Sequence, residues 1–230
     1  VAKIKICFAL VLLFLLITEC CIFTEDDIFP DQSDEQDSRY TESEIEYFEE
    51  IALGTEYGNT DQVIRKWGND IKIKVNGVPT QKDLDALDKV VSDIDSIIGE
   101  KIPISIVEES PNISINFVPT SEFSICEAAP GNYGYFNCMW ENNLIYKCDI
   151  CIATDIYQEE RSHMIREEVT QSLGLMNDSE KYRNSIFFQG YSATQKYVEI
   201  DRKLIEMLYI DEIKPGMRKK EVESILRDIS

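Results

Sequence analysis

The sequence predicts an α+β domain, a mixed sheet with helices packed on it, from three observations. Segments with apolar residues at every second position, such as 70–75, 102–107, 112–118 and 144–154, are interleaved with segments whose apolar residues recur every three or four positions. The order helix, strand, helix, strands, helix, helix calls for helices that cover a sheet. The 230 residues, 43% hydrophobic and without an apparent internal repeat, are enough to bury one substantial core.

Lys3 and Lys5 precede an apolar run from Ile6 to Ile17, which has the charge and length of a secretory signal and is short for a membrane span. Residues 1–23 are therefore read as a signal peptide or lipoprotein signal. Cys20 and Cys21 are the candidate lipidation sites, although Glu19 stands where a small residue is wanted. The expected location is extracytoplasmic, secreted or membrane-anchored through the N-terminus only. Residues 24–42 read as an acidic flexible linker and 43–230 as the folded domain. Between 24 and 50 the only base is Arg39, so much of the net charge of −20 belongs to this tether. Such a charge repels phosphates, which excludes nucleic acid as a partner.

Within the folded part, SEIEYFEEIA at 43–52 has helical spacing and ends at Gly54 and Gly58. The strand DIKIKV closes in a turn at Asn76-Gly77. Thr80 can cap a helix carrying Leu84, Leu87, Val90, Val91, Ile94, Ile97 and Ile98, which Gly99 terminates. IPISIV and NISINFV read as β-branched strands. Residues 119–143, rich in Pro, Gly and Asn, predict a loop and a short edge strand. A strand at 144–154 then leads into a helix from about 158 to 173, stopped by Gly174. The amphipathic run 197–209 and a last short helix near Leu226 complete the order.

Four cysteines, Cys126, Cys138, Cys148 and Cys151, fall close together. In an exported chain this is a disulfide pattern, whose pairing stays open among three possibilities. Strand alternation sets Cys148 and Cys151 on opposite faces, which disfavours a bond or shared metal between them. A zinc ribbon needs two CxxC knuckles, and one is present.

Polar groups with chemical potential converge in RSHMIREEVTQSLGLMND at 161–178. On a helical wheel His163 and Gln171 lie roughly 40° to either side of Glu167, while Ile165, Val169 and Leu173 cluster opposite. By itself this is an amphipathic helix with a wet face. The frame E-E-x-x-Q-x-x-G-x-x-N-D, however, overlays the extended metzincin zinc motif H-E-x-x-H-x-x-G-x-x-H-D, in which paired histidines bind zinc and the glutamate between them is the general base. Glu168, Gly174 and Asp178 match, and the ligand positions are taken by Glu167, Gln171 and Asn177.

A closer resemblance covers nearly all of the domain. Glu167, Glu168, Gln171, Gly174, Asn177 and Asp178, then Ser185 to Phe187, Asp201, Leu208, Tyr209 and Pro215 to Met217, taken in this order, resemble the bacterial lipoprotein-type family called domain of unknown function 2927. The family commonly has a histidine before the paired glutamates, and this chain has Arg166 there. The resemblance implies an extracytoplasmic protein with a zincin-like fold and brings no established activity.

The chemistry follows from the donor set. One carboxylate and two amides make a poor zinc site, and hard oxygen donors suit another divalent metal or none. Glu167 is the best candidate ligand, with His163, Gln171, Asn177 or Asp178 completing a site and Glu168 as candidate catalytic base. Without metal, Glu167 or Glu168 would pair with Arg161, Arg166 or Arg183. Trp67 and Trp140, with the tyrosines between 133 and 146, could line a peptide or glycan groove. The expected function is a zincin-like domain with a degenerate active site, inactive as an ordinary zinc peptidase, that binds a protein or peptide at the cell envelope. The alternative is an active metallopeptidase-type hydrolase with an oxygen-rich metal site. The third is a purely structural role in an envelope assembly.

Overall fold

A computed structural model of the chain describes residues 38–54, 61–128, 131–190 and 192–229. The predicted signal, the lipidation candidates Cys20 and Cys21, the linker up to residue 37 and the helix-stop Gly58 lie outside the described residues. The elements run α1 (Glu42–Leu53), β1 (Lys66–Trp67), β2 (Ile71–Gly77), α2 (Gln81–Ile98), β3 (Ile104–Ile106), β4 (Ile113–Val118), β5 (Gly134–Glu141), β6 (Leu144–Ala153), α3 (Gln158–Gln171), α4 (Glu199–Tyr209) and α5 (Lys219–Asp228). Short 3₁₀ helices follow α2 and precede β5, the second at Thr120–Cys126.

The sheet is mixed, with one antiparallel pair on an otherwise parallel sheet. Strands β3, β2, β4 and β6 are parallel neighbours in that order, and β1 pairs in parallel with the start of β6. Strand β5 runs antiparallel along β6 and pairs with no other described strand. The register brings Ile73, Ile113 and Cys148 into line, and likewise Val75, Ile115 and Ile150. With Phe117 and Ile152 these residues form one apolar face, which the helices cover with Leu87, Ile94, Val169, Leu204 and their neighbours. The opposite face carries a smaller cluster of Val118, Cys151 and Ala153 beneath Phe123 and Cys126 of the 3₁₀ helix.

Alternation also decides the disulfides. Cys148 and Cys151 face opposite sides of β6, so each takes a different partner. Cys138 stands directly across the ladder and bonds to Cys148 on the helical face, whereas Cys126 bonds to Cys151 and ties the 3₁₀ helix to the other face. Among the described residues no helix is long and apolar enough to cross a membrane.

Two expectations need correction. Residues 119–143 are more ordered than their composition predicts, because pairing with β6 along its whole length draws Tyr135, Phe136 and Trp140 into an eight-residue strand. The folded chain also begins ahead of residue 43. Tyr40 is 2% exposed and the Arg39 N–H donates to the Ile229 carbonyl, so the stretch assigned to the linker up to residue 42 ends as part of the core's rim.

Candidate functional site

Helix α3 is held by both of its faces. Ile165, Val169 and Leu173 are fully buried against the sheet, as their spacing requires. Arg161 and Arg166 point to α2, where Arg161 Nε donates to Asp83 Oδ1 at 2.7 Å and Arg166 Nη2 donates to Asp93 Oδ2 at 2.9 Å. Arg161 and Arg166 are thus engaged by aspartates of α2, where the sequence suggested Glu167 or Glu168 in a site without metal, and Arg183 lies over the Phe188 ring. Burial opposes the Asp83 charge, yet hydrogen bonds from Gln158, Thr80 and Arg161 hold its carboxyl below the usual value. Gly174 stops the helix at φ +119°, and a Cβ there would lie 2.0 Å from the Arg65 carbonyl oxygen, so no other residue can make this turn without displacing backbone.

The stripe read as a wet helix face is largely buried. His163 is 3% exposed and Gln171 2%, and the Glu167 side chain between them is 12% exposed, because β5 and the segment after α3 close over them. His163 Nδ1 lies 2.7 Å from the Thr194 carbonyl oxygen and Nε2 lies 3.3 Å from Glu167 Oε2. Burial works against charge on this imidazole, but the Glu167 carboxylate and the Thr194 carbonyl outweigh it and raise its pKa. Gln171 Nε2 donates to Asp178 Oδ1 at 2.6 Å, which brings the segment beyond Gly174 back over the helix. The Glu168 carboxylate lies beneath β5, where a Cβ on Gly134 would come within 2.3 Å of its Oε1.

Between β5 and α3 is a cavity of about 350 Å³. Its α3 side carries Met164, Glu167, Glu168 and Gln171, Asp178 and Met176 come from the segment after the helix, and residues 131–138 with Trp140 form the other wall. A smaller cavity of about 210 Å³ adjoins it, sharing Tyr133, Met164 and Glu167 and lined further by His163 and Phe188. The structure therefore brings Glu167, Glu168, Gln171 and Asp178 to one cavity and His163 to its neighbour. Asn177 goes elsewhere, its amide donating to the Glu50 carbonyl at 3.0 Å. Of the two tryptophans, Trp140 lines the cavity and Trp67 is buried, its indole N–H donating to the Ser172 carbonyl at 2.9 Å.

This arrangement does not fit the predicted metal site. The Gln171 amide is turned to Asp178, Glu167 to His163 and Asn177 to α1, so the donors do not converge. Among the described residues no group of three or more His, Cys, Asp or Glu side chains could hold a metal ion. Sequence reasoning missed Gly134, Phe136 and the two methionines as lining. A glycine opening an aromatic strand is the one signal that could have marked close approach of a side chain from elsewhere.

The family model DUF2927, described as "Protein of unknown function", matches residues 41–228. No curated protein matches the chain. Two solved structures of myroilysin are similar at 12% identity. One covers 70% of this chain and 84% of that chain with a TM-score of 0.43, and the other covers 78% of each with a TM-score of 0.33.

Proposed function

This chain belongs to the DUF2927 family of proteins of unknown function, and we propose that it is an exported, zincin-like domain that binds a peptide or protein segment at the cell envelope without cleaving it. The observation that carries the reading is the cavity between β5 and α3, bounded on one side by a strand whose outer edge pairs with no described strand. Such an edge offers main-chain donors and acceptors to an extended segment, and the cavity beside it offers room for a side chain. Two disulfides in a single domain favour an oxidising compartment, where the N-terminal signal would deliver the chain. Lipidation at Cys20 or Cys21 would keep the domain at the membrane, with no further membrane contact.

The competing reading, a hydrolase, rests on one feature: Glu168 holds the general-base position of the motif frame and is buried close to β5. The two readings separate in one experiment. The purified chain is assayed for bound metal by elemental analysis and for peptide cleavage, with and without Glu168→Gln. The binding reading expects no stoichiometric metal and no cleavage, together with saturable peptide binding. Stoichiometric metal with cleavage abolished by Glu168→Gln overturns it.

A further inference from the structure

Another cavity, of about 210 Å³, is bounded by β1, by Leu144 at the start of β6, by Lys101 and Ile102 ahead of β3, and by the chain that leaves α4 at 209–215. Its walls are mainly apolar, and Trp67, Tyr209, Ile210 and Ile213 among them are buried. Its charge is the reverse of the chain's. In a protein with 43 acidic and 23 basic residues, the lining carries three lysines, Lys66, Lys101 and Lys214, and one carboxylate, Asp211. Asp211 lies 3.7 Å from Lys101 with its side chain 83% exposed, so water screens most of what it offers the cavity.

Lys66 is the lysine that the fold fixes in place. Its Nζ donates to the Leu208 carbonyl at 2.6 Å and to the Ile213 carbonyl at 2.8 Å, and it lies 5.1 Å from the centre of the Tyr209 ring. These carbonyls belong to the last turn of α4 and the segment after it, so Lys66 caps a helix end. Capping asks for one cation, and the cavity has three. An ammonium has three donors, of which the two carbonyls use two. Burial, with Lys214 and Lys101 close by, pulls the Lys66 pKa from 10.5 down to about 8, with Asp211 acting the other way. Like charges gathered at a half-buried place repel one another, and an anion seated among them relieves that repulsion.

Size and polarity narrow the kind of anion. An engineered apolar cavity of about 150 Å³ holds benzene, so this volume of about 210 Å³ accommodates one aryl ring or a short alkyl chain with its head group. Inorganic phosphate, hydrated on every side, would lose water to the apolar walls and gain nothing from them. A carboxylate on an apolar stem uses both parts, with the stem removed from water and the head paired with ammonium groups.

We infer that this cavity binds a small organic acid, an aryl or short alkyl carboxylate, whose stem lies on the walls around Trp67 and Ile213 and whose carboxylate sits among Lys66, Lys101 and Lys214. The site stands apart from the peptide-binding reading, since it has no lining residue in common with the cavity between β5 and α3.

The test titrates benzoate into the ¹⁵N-labelled full chain and follows the amide and indole signals by NMR, with benzamide, inorganic phosphate and N-acetyl-alanyl-phenylalanine as the other probes. Benzoate should bind at least about fivefold more tightly than benzamide, its neutral isostere, and than phosphate. The advantage over benzamide should shrink as salt is raised. It should shrink again between about pH 7 and about pH 9, where Lys66 loses its proton and benzoate stays ionised. Lys66→Gln and Lys214→Gln should each cut the advantage several-fold and leave benzamide binding unchanged. Melting curves accompany both variants, and Lys214→Gln, at an exposed side chain, carries the test if Lys66→Gln does not fold. Equal binding of benzoate and benzamide, or an advantage that survives Lys214→Gln, overturns the placement of the carboxylate among these lysines. Phosphate that binds as tightly as benzoate overturns the ligand class, because the stem then contributes nothing. Tighter binding of the acetylated dipeptide than of benzoate overturns the small acid in favour of a chain terminus. Failure of every probe to bind overturns the site itself, and the reading of the cavity between β5 and α3 is untouched by any of these results.

Discussion

Gly174 and Asp201 illustrate how single positions carry the architecture around the site. At Gly174 both the positive φ and the nearness of the Arg65 carbonyl forbid a side chain, so Gly174→Ala should lower stability by about 1–3 kcal/mol from conformation alone, with more from the backbone shift. Urea denaturation of the variant checks this; a loss below a few tenths would show that the turn relaxes freely. Asp201 is fully buried and accepts from Ser185 Oγ at 2.6 Å, from Ile186 N–H at 3.2 Å and from Val198 N–H at 3.0 Å, while Tyr47 donates to the same serine at 2.9 Å. Burial pushes its carboxyl up to about 6 from 3.8 despite these hydrogen bonds. A raised folded pKa means the native state holds a proton that the unfolded chain releases at lower pH. The resulting stabilisation is full below the unfolded value and is lost as pH rises through about 6. The stability advantage of the wild type over Asp201→Asn should therefore shrink between about pH 4 and about pH 7 in urea melts, and an advantage that grows across that range contradicts the assignment.

Helix α3 shows why the element, more than any one residue, positions the site. Its apolar stripe was legible because a period of three to four residues is a property of the chain alone, and Ile165, Val169 and Leu173 are buried as that period requires. Its polar stripe, taken alone, reads as a solvent face, and only the motif frame pointed to a cleft, because whether a polar face meets water depends on what folds over it, here β5 and the segment after Gly174. The buried pair between Arg161 and Asp83 sets the distance between α3 and α2, with side chains 8% and 0% exposed. Asp83→Ala would strand the guanidinium without its partner, and should cost about 3–5 kcal/mol in chemical denaturation. A milder loss would mean that water replaces the aspartate. The disulfides divide similarly: separate faces for Cys148 and Cys151 followed from strand period, but the choice of Cys138 and Cys126 as partners required the β5–β6 register.

At the scale of the whole molecule, the acidic charge runs from the linker into the folded domain, where Glu42, Glu44, Glu46, Glu49 and Glu50 all lie on α1. The folded part begins within this acidic stretch, where Tyr40 enters the core and Arg39 pairs with Glu206 on α4. A chain that begins at residue 36 should melt like the full-length protein, whereas one that begins at residue 43 loses the buried Tyr40 and the Thr41 cap. From apolar burial and capping that truncation should cost about 2–4 kcal/mol. Matching melting temperatures for the two chains would place the domain boundary at residue 43 after all.

The sequence by itself determined the α+β class, the element order, the helix that carries the paired glutamates and its stop at Gly174. These depend on period and on local backbone freedom, which neighbouring residues along the chain settle among themselves. It also held the family resemblance in the spacing from Glu167 to Met217, which the match over residues 41–228 bears out. Only the tertiary structure decided that Glu167, Glu168, Gln171 and Asp178 share a cavity with Trp140 while Asn177 turns to α1. That outcome depends on the antiparallel register of β5 and on which side chains fill the space above α3, and both are contacts between residues distant in the chain.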